Sequence, residues 1–186
     1  RQGEALWEAL ERLPKGSGVV FRHYSLAPAE RRKLFERVRR VAKRRRLLLL
    51  AGGKGLRADG VHGGRGGFSA SAHGLRELKT AERSGARLVF LSPAFPTRSH
   101  PGAPTLGPVR FGLIASQARI PVIALGGMDG RKARRLPHIY GWAGIDAWLA
   151  SPSKMGRGVQ AGRHAGGMPR AGTGCLAAVG RSMVEG

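Results

Sequence analysis

Between Arg87 and Gly107 the chain reads RLVFLSPAFPTRSHPGAPTLG. Leu88-Val89-Phe90-Leu91 is a continuous apolar run, too short for a core helix, and it reads as a strand buried on both faces. It breaks at Ser92-Pro93 into a loop of Pro, Thr, Ser and His. One helical pattern later, near 107–118, a second apolar run from Pro121 to Leu125 ends in Gly126-Gly127. Strands joined through a helix run parallel and finish on the same edge of their sheet. A hydroxyl-rich end and a paired-glycine end therefore meet, which places a candidate site at the carboxyl ends of parallel strands.

The same alternation organises the chain up to about residue 150. Residues 4–13 set Leu6, Trp7, Leu10 and Leu13 at helical spacing, and Pro14 to Ser17 stop that helix. Gly18 to Tyr24 reads as a short strand whose last residues turn polar. Residues 28–46 form a helix with Pro28 in its first turn and an apolar stripe of Leu34, Phe35, Val38, Val41 and Ala42. Strands follow at Leu47 to Leu50, Ala58 to His62 and Phe68 to Ala72. A helix from Leu75 to Ser84 then ends at Gly85, a C-terminal cap. Beyond the opening pair come a helix near 129–137 and a strand near 143–148. Strands and helices alternating in this way predict an α/β fold with a parallel sheet. From Ser151 the chain is rich in Gly and Arg, and 151–186 is expected to be a loose basic tail that supplies no replacement strand.

Charge is the unusual bulk property: 33 Lys and Arg against 11 Asp and Glu give a net +22. Such a field suits nucleic acid or an anionic small molecule. The densest patch, 31–46, lies on the helix with the clean apolar stripe, which favours a solvated outer face. Aromatic residues are only 6% and do not interleave with the basic ones, so the pattern of RNA-binding sheets is missing. No apolar run approaches the length of a membrane span. The segment RQGEALWEAL has no signal-peptide core, and Cys175 is the single cysteine; a cytoplasmic setting is expected.

Two local groups carry chemistry. Thr97, Arg98, Ser99 and His100 offer hydroxyls, a guanidinium and an imidazole, all suited to phosphate. Gly126-Gly127-Met128-Asp129 follows a buried strand and opens a helix, where backbone N–H groups can approach an anion. Arg22 and His23 end an apolar strand, a costly place for charge unless it faces a cleft. His62, His73 and His100 match no zinc spacing, and each reads singly as a hydrogen-bonded structural group.

The order of ADGVH (58–62), SAH (71–73) with Glu77, FLSPAFPTRSHPG (90–102), IPVIALGGM (120–128) and AGIDA (143–147) resembles the thiamine phosphate synthase/TenI family over about residues 1–150. The resemblance implies a TIM (β/α)8 barrel with its site at the carboxyl ends of the strands. Here the chain starts on what would be the first barrel helix, so the first strand is expected to be missing. The implied reaction joins hydroxymethylpyrimidine pyrophosphate to thiazole phosphate. Pyrophosphate leaves with magnesium (Mg2+) assistance, and the thiazole nitrogen traps the pyrimidine cation. On this resemblance Arg22 and Ser71 contact the pyrophosphate, while Thr97 and Ser99 bind the substrates. Gly126 and Gly127 take the thiazole phosphate through backbone N–H groups.

The departures from the family pattern are specific. Val20 and Tyr24 stand at the Gln and Lys positions of the strand-end motif, and His100 stands at the loop lysine. The expected magnesium carboxylates fall on Gly52 and near Gly67, so no metal ligand is assigned. With Arg22, Ser71 and His100 as candidate catalytic groups, a synthase, with full or reduced activity, is the leading reading. A non-catalytic phosphate-ligand binder on the same scaffold, and a nucleic-acid-binding protein acting through the 31–46 helix, stay open beside it.

Overall fold

A computed structural model of the chain describes residues 2–97, 102–144 and 176–179. Its elements run α1 (Gln2–Arg12), β1 (Gly18–Phe21), α2 (Pro28–Arg45), β2 (Leu48–Gly52), β3 (Gly60–His62), β4 (Ser69–Ala72) and α3 (Leu75–Arg83). They continue with β5 (Leu88–Leu91), α4 (Gly107–Ala115), β6 (Val122–Ala124), α5 (Gly130–Ala133), β7 (Gly141–Trp142) and β8 (Leu176–Val179). All pairings are parallel, in the order β7-β6-β5-β4-β3-β2-β1-β8.

Side-chain alternation sorts the apolar residues into inner and outer layers. Val19 and Phe21 of β1 and Leu49 and Ala51 of β2 face outward, where Leu6, Leu10 and Leu13 join Phe35, Val38 and Ala42 of α2. Val89 and Leu91 of β5 and Val122 and Ala124 of β6 face outward against Leu78, Ala81, Phe111, Ile114 and Ala115. The residues between them point the other way: Val20, Leu50, Leu88, Phe90, Ile123 and Ala143 form a third cluster. Strands β1 and β5 are separated by three others in the sheet. Their inner residues share one cluster only because the sheet curls round on itself. The architecture is a curled parallel α/β half-barrel of the TIM type.

The charged faces of α2 follow the outer-layer reading. Arg37 stacks over Trp7 at 4.6 Å, Arg39 pairs with Glu36 at 2.8 Å, and Arg44 pairs with Glu11. Arg45 donates to the Leu13 carbonyl at 2.9 Å. These cations tie α1 to α2, or α2 to itself, and are not collected into a binding face.

Four expectations are corrected. The strand expected over 18–24 ends at Phe21, because the chain turns at once, with the Tyr24 N–H donating to the Arg22 carbonyl at 2.8 Å. The helix expected over 129–137 covers only Gly130–Ala133; Pro137 disfavours helical geometry at the residue before it and offers no N–H of its own. The closing strand lies at Gly141–Trp142, ahead of the expected 143–148, of which 145–148 are outside the described residues. The tail does supply a strand: Leu176–Val179 pairs with Gly18–Phe21, on the edge where the first strand was expected to be missing.

Candidate functional site

Ladder register brings the strand ends to one rim. Ala51 pairs with Val61 and with Phe21, so Arg22, Gly52 and His62 lie level at the ends of β1, β2 and β3. His62 in turn pairs with Ser69, and Ser71 lies two residues further along β4. By alternation Arg22 follows Val20 inward and Gly52 follows Leu50, so this rim stands directly above the inner cluster.

His62 is the hub of the rim. Its Nδ1 is 2.9 Å from Ser69 Oγ and its Nε2 is 3.4 Å from Ser71 Oγ. Its ring meets Phe90 edge-on, with centroids 5.2 Å apart. Burial first, and the neighbouring Arg22 charge second, lower its pKa from 6.5 to about 4. His62 is therefore uncharged at neutral pH, a ring with one donor and one acceptor between two hydroxyls that can each serve either role. Arg22 and Ser71, both singled out from the sequence, are brought together on either side of it and are both exposed. The sequence reads His62 as a hydrogen-bonded structural group, and its bonds to Ser69 and Ser71 agree with that reading.

A second rim segment joins β4 to β5. The Glu77 carboxylate accepts the His73 N–H at 2.7 Å, which fixes the start of α3. His73 Nδ1 donates to the Ser92 carbonyl at 3.0 Å. The Ser92 N–H donates to the Ala72 carbonyl at 2.9 Å, and the Ser92-Pro93 peptide that follows is cis.

The paired glycines sit against that loop. Ala94 and Phe95 donate to the Leu125 and Gly126 carbonyls at 2.8 and 3.1 Å. Gly126 and Gly127 have φ of 93° and 61°, a region that favours glycine. A Cβ at Gly126 would lie 2.8 Å from Pro93 Cα, and one at Gly127 would strike the Pro96 carbonyl and lie 2.9 Å from the Phe95 carbonyl. The N–H groups of Gly126 and Gly127 have no hydrogen-bond partner among the described residues. A helix dipole adds little here: α5 has four residues, and Asp129 already accepts its Arg131 and Lys132 N–H groups at 2.9 Å. Lys132 Nζ instead binds the Gly127 carbonyl at 2.6 Å. Thr97 is half-buried one residue beyond this contact, while Arg98, Ser99 and His100 lie outside the described residues.

With this geometry in place, likeness to known proteins becomes informative. The family model described as thiamine monophosphate synthase matches residues 63–147. A protein of Aquifex aeolicus (strain VF5), described as putative thiamine-phosphate synthase 2, is 34% identical over 172 residues, covering 80% of this chain and 92% of its own length. The chain belongs to the thiamine monophosphate synthase family. A solved structure, thiamine phosphate pyrophosphorylase from Pyrococcus furiosus, matches with a TM-score of 0.67 at 24% identity, over 80% of this chain and 81% of that one. That likeness speaks to the fold, and it agrees with the curled parallel sheet.

As a thiamine monophosphate synthase family member, the chain would be expected to hold Mg2+, but its described residues do not fit that ion. A Cβ at Gly52 would lie 2.7 Å from Tyr24 Cζ and nearer still to the phenol oxygen. A Cβ at Gly67 would lie 2.5 Å from the Gly63 carbonyl oxygen. Both positions lack a carboxylate; the Gly63 backbone closes Gly67 to one, while at Gly52 the exposed end of the Tyr24 ring would have to move aside. Asp59 accepts the Leu49 N–H, Glu77 that of His73, and Asp129 caps α5. No cluster of three or more His, Cys, Asp or Glu able to hold a metal occurs among the described residues.

The rim contains one further residue that the sequence did not single out. Arg31, one of many cations on α2, donates from Nε to the His23 carbonyl at 2.9 Å and from Nη2 to the Gly52 carbonyl at 2.6 Å. It clamps the ends of β1 and β2 together. Burial and the Arg31 charge both lower the pKa of His23.

Proposed function

We propose that this chain is a cytoplasmic thiamine phosphate synthase, built on a TIM-type half-barrel whose sheet includes the strand Leu176–Val179. It joins hydroxymethylpyrimidine pyrophosphate to thiazole phosphate. The bond between the pyrimidine methylene carbon and the bridging pyrophosphate oxygen breaks, and its electron pair leaves with pyrophosphate. The thiazole nitrogen lone pair then forms the new C–N bond.

The observation that carries this reading is the glycine turn. Two N–H groups, at Gly126 and Gly127, which have no hydrogen-bond partner among the described residues, lie against the loop that leads to Thr97. Such a turn holds a phosphate without a charged side chain, and the loop hydroxyls of Thr97 and Ser99 complete its shell. Arg22 and Ser71 take the pyrophosphate, and His100, which follows Thr97 in sequence, is assigned as a further donor. The protein's contribution is then positional and electrostatic: it holds the trapping nitrogen in line and neutralises the leaving group.

The test is calorimetric titration of thiazole phosphate into the folded chain, followed by turnover with both substrates. Saturable binding with product formation supports the synthase. Binding without product reduces the chain to a phosphate-ligand binder, and absence of heat from a folded sample overturns the reading.

A further inference from the structure

Where the family resemblance leads one to expect a carboxylate, at Gly52, the chain places an aromatic ring. Tyr24 occupies that space, and two guanidinium groups lie near its ring, with Arg22 Cζ 5.8 Å and Arg31 Cζ 5.5 Å from its centroid. Cations at this range are held by the face of the ring. The backbone at Tyr24 is turned by its N–H bond to the Arg22 carbonyl, and Arg31 is fixed by the carbonyls of His23 and Gly52. Arg31 has spent donors on those carbonyls, whereas Arg22 has no carboxylate partner among the described residues. The buried ring beside Arg22 is His62, which brings neither a negative charge to pair it nor a positive charge to add to it.

We propose that the rim formed by Arg22, Tyr24, Arg31 and Ser71 is a metal-independent site for a diphosphate anion. It deepens the synthase reading, on which it rests for the class of ligand. The Arg22 guanidinium supplies a fork of N–H donors to phosphate oxygens, and Ser71 Oγ supplies a hydroxyl. Arg31 contributes charge from beside the Tyr24 ring, and Tyr24 takes up the volume next to Gly52 that a metal carboxylate needs. Two cations with no carboxylate beside them among the described residues repel a divalent ion. Magnesium should therefore weaken binding by sequestering the free anion in solution, the reverse of a metal-assisted site.

The test is titration of inorganic pyrophosphate into the full chain, once with a chelator and once with excess Mg2+, at about 150 mM salt to screen surface charge. The expected result is saturable binding in chelator that weakens with Mg2+. Arg22→Gln should lower the affinity by about tenfold or more, as expected for a lost charge-assisted contact. Arg22→Lys should fall between the two, because it keeps the charge and loses the fork. Arg40→Gln, which removes the same charge from the exposed face of α2, should leave affinity unchanged. Thermal melts confirm that each variant is folded. Binding that needs Mg2+, equal losses at Arg22 and Arg40, or no saturable binding in either buffer overturns the proposal. Thiazole phosphate, titrated into the same samples, separates the two ideas. If it binds while pyrophosphate requires Mg2+, the synthase reading survives and this inference fails.

Discussion

Replacing Gly127 by alanine perturbs the glycine turn through two separable effects. At φ 61° an alanine sits in the left-handed region, which costs about 1 kcal/mol. Its Cβ also meets the Pro96 and Phe95 carbonyls, and both obstacles are backbone, so no side chain can swing away. Forcing such a contact costs about 1–3 kcal/mol more. Gly85 provides the matched control: its φ is 81°, and a Cβ there meets nothing within 4 Å. Gly85→Ala should therefore cost only the backbone part, about 1 kcal/mol. The unfolded-state effect of Gly→Ala is shared and cancels in the comparison. Urea unfolding should show Gly127→Ala less stable than Gly85→Ala by about 1–3 kcal/mol. Calorimetry should show thiazole phosphate affinity falling in the first variant alone, as the loop before Thr97 is displaced. Equal destabilisation by the two changes, or full ligand affinity in Gly127→Ala, would refute the packing of the turn against the loop.

Two further outcomes follow from the rim. His62 keeps a folded pKa of about 4 against 6.5 when unfolded, so the unfolded chain takes up a proton first as pH falls. Stability is then level above about pH 6.5, declines by about 3 kcal/mol towards pH 4, and is level again below it. His23, lowered by burial and Arg31, adds in the same direction. His62→Gln should flatten most of this slope in urea unfolding followed against pH, and an unchanged slope would remove His62 as its source. Arg31→Met leaves the His23 and Gly52 carbonyls without their charged donor and should cost about 2–3 kcal/mol by the same measurement. Arg31→Lys should recover only part of that, and full stability in Arg31→Met would deny the clamp.

The strands that were legible in the sequence are those built on uninterrupted apolar runs. Leu88–Leu91 and Leu48–Gly52 were plain because both faces are buried and no polar residue breaks the run. The strand Leu176–Val179 was not, since four small or medium apolar residues in a glycine-rich stretch carry no period, and only pairing with β1 defines them. The shortness of α5 was hidden because its Arg-rich sequence tolerates a helix, while the stop comes from Pro137 and the turn into β7. At the site, the glycine turn and its loop could be located from strand ends alone. Arg31 could not: nothing local distinguishes it from its basic neighbours, and its role arises when α2 packs across two strand ends. His62 was visible as a residue but not as a hub, because its partners Ser69 and Ser71 meet it only across the β3–β4 ladder.

The phenol over Gly52 also bears on how such a rim can change over generations. An aspartate arriving alone at position 52 meets the ring, and removing the ring alone leaves the position without a carboxylate. Gly67 adds a second barrier, since any side chain there presses on the Gly63 carbonyl. Gaining a metal site would thus require several substitutions, the first of which bring crowding or nothing useful. On the diphosphate proposal, a carboxylate at position 67 is the step such a conversion meets last, because the obstacle there is backbone and cannot swing away.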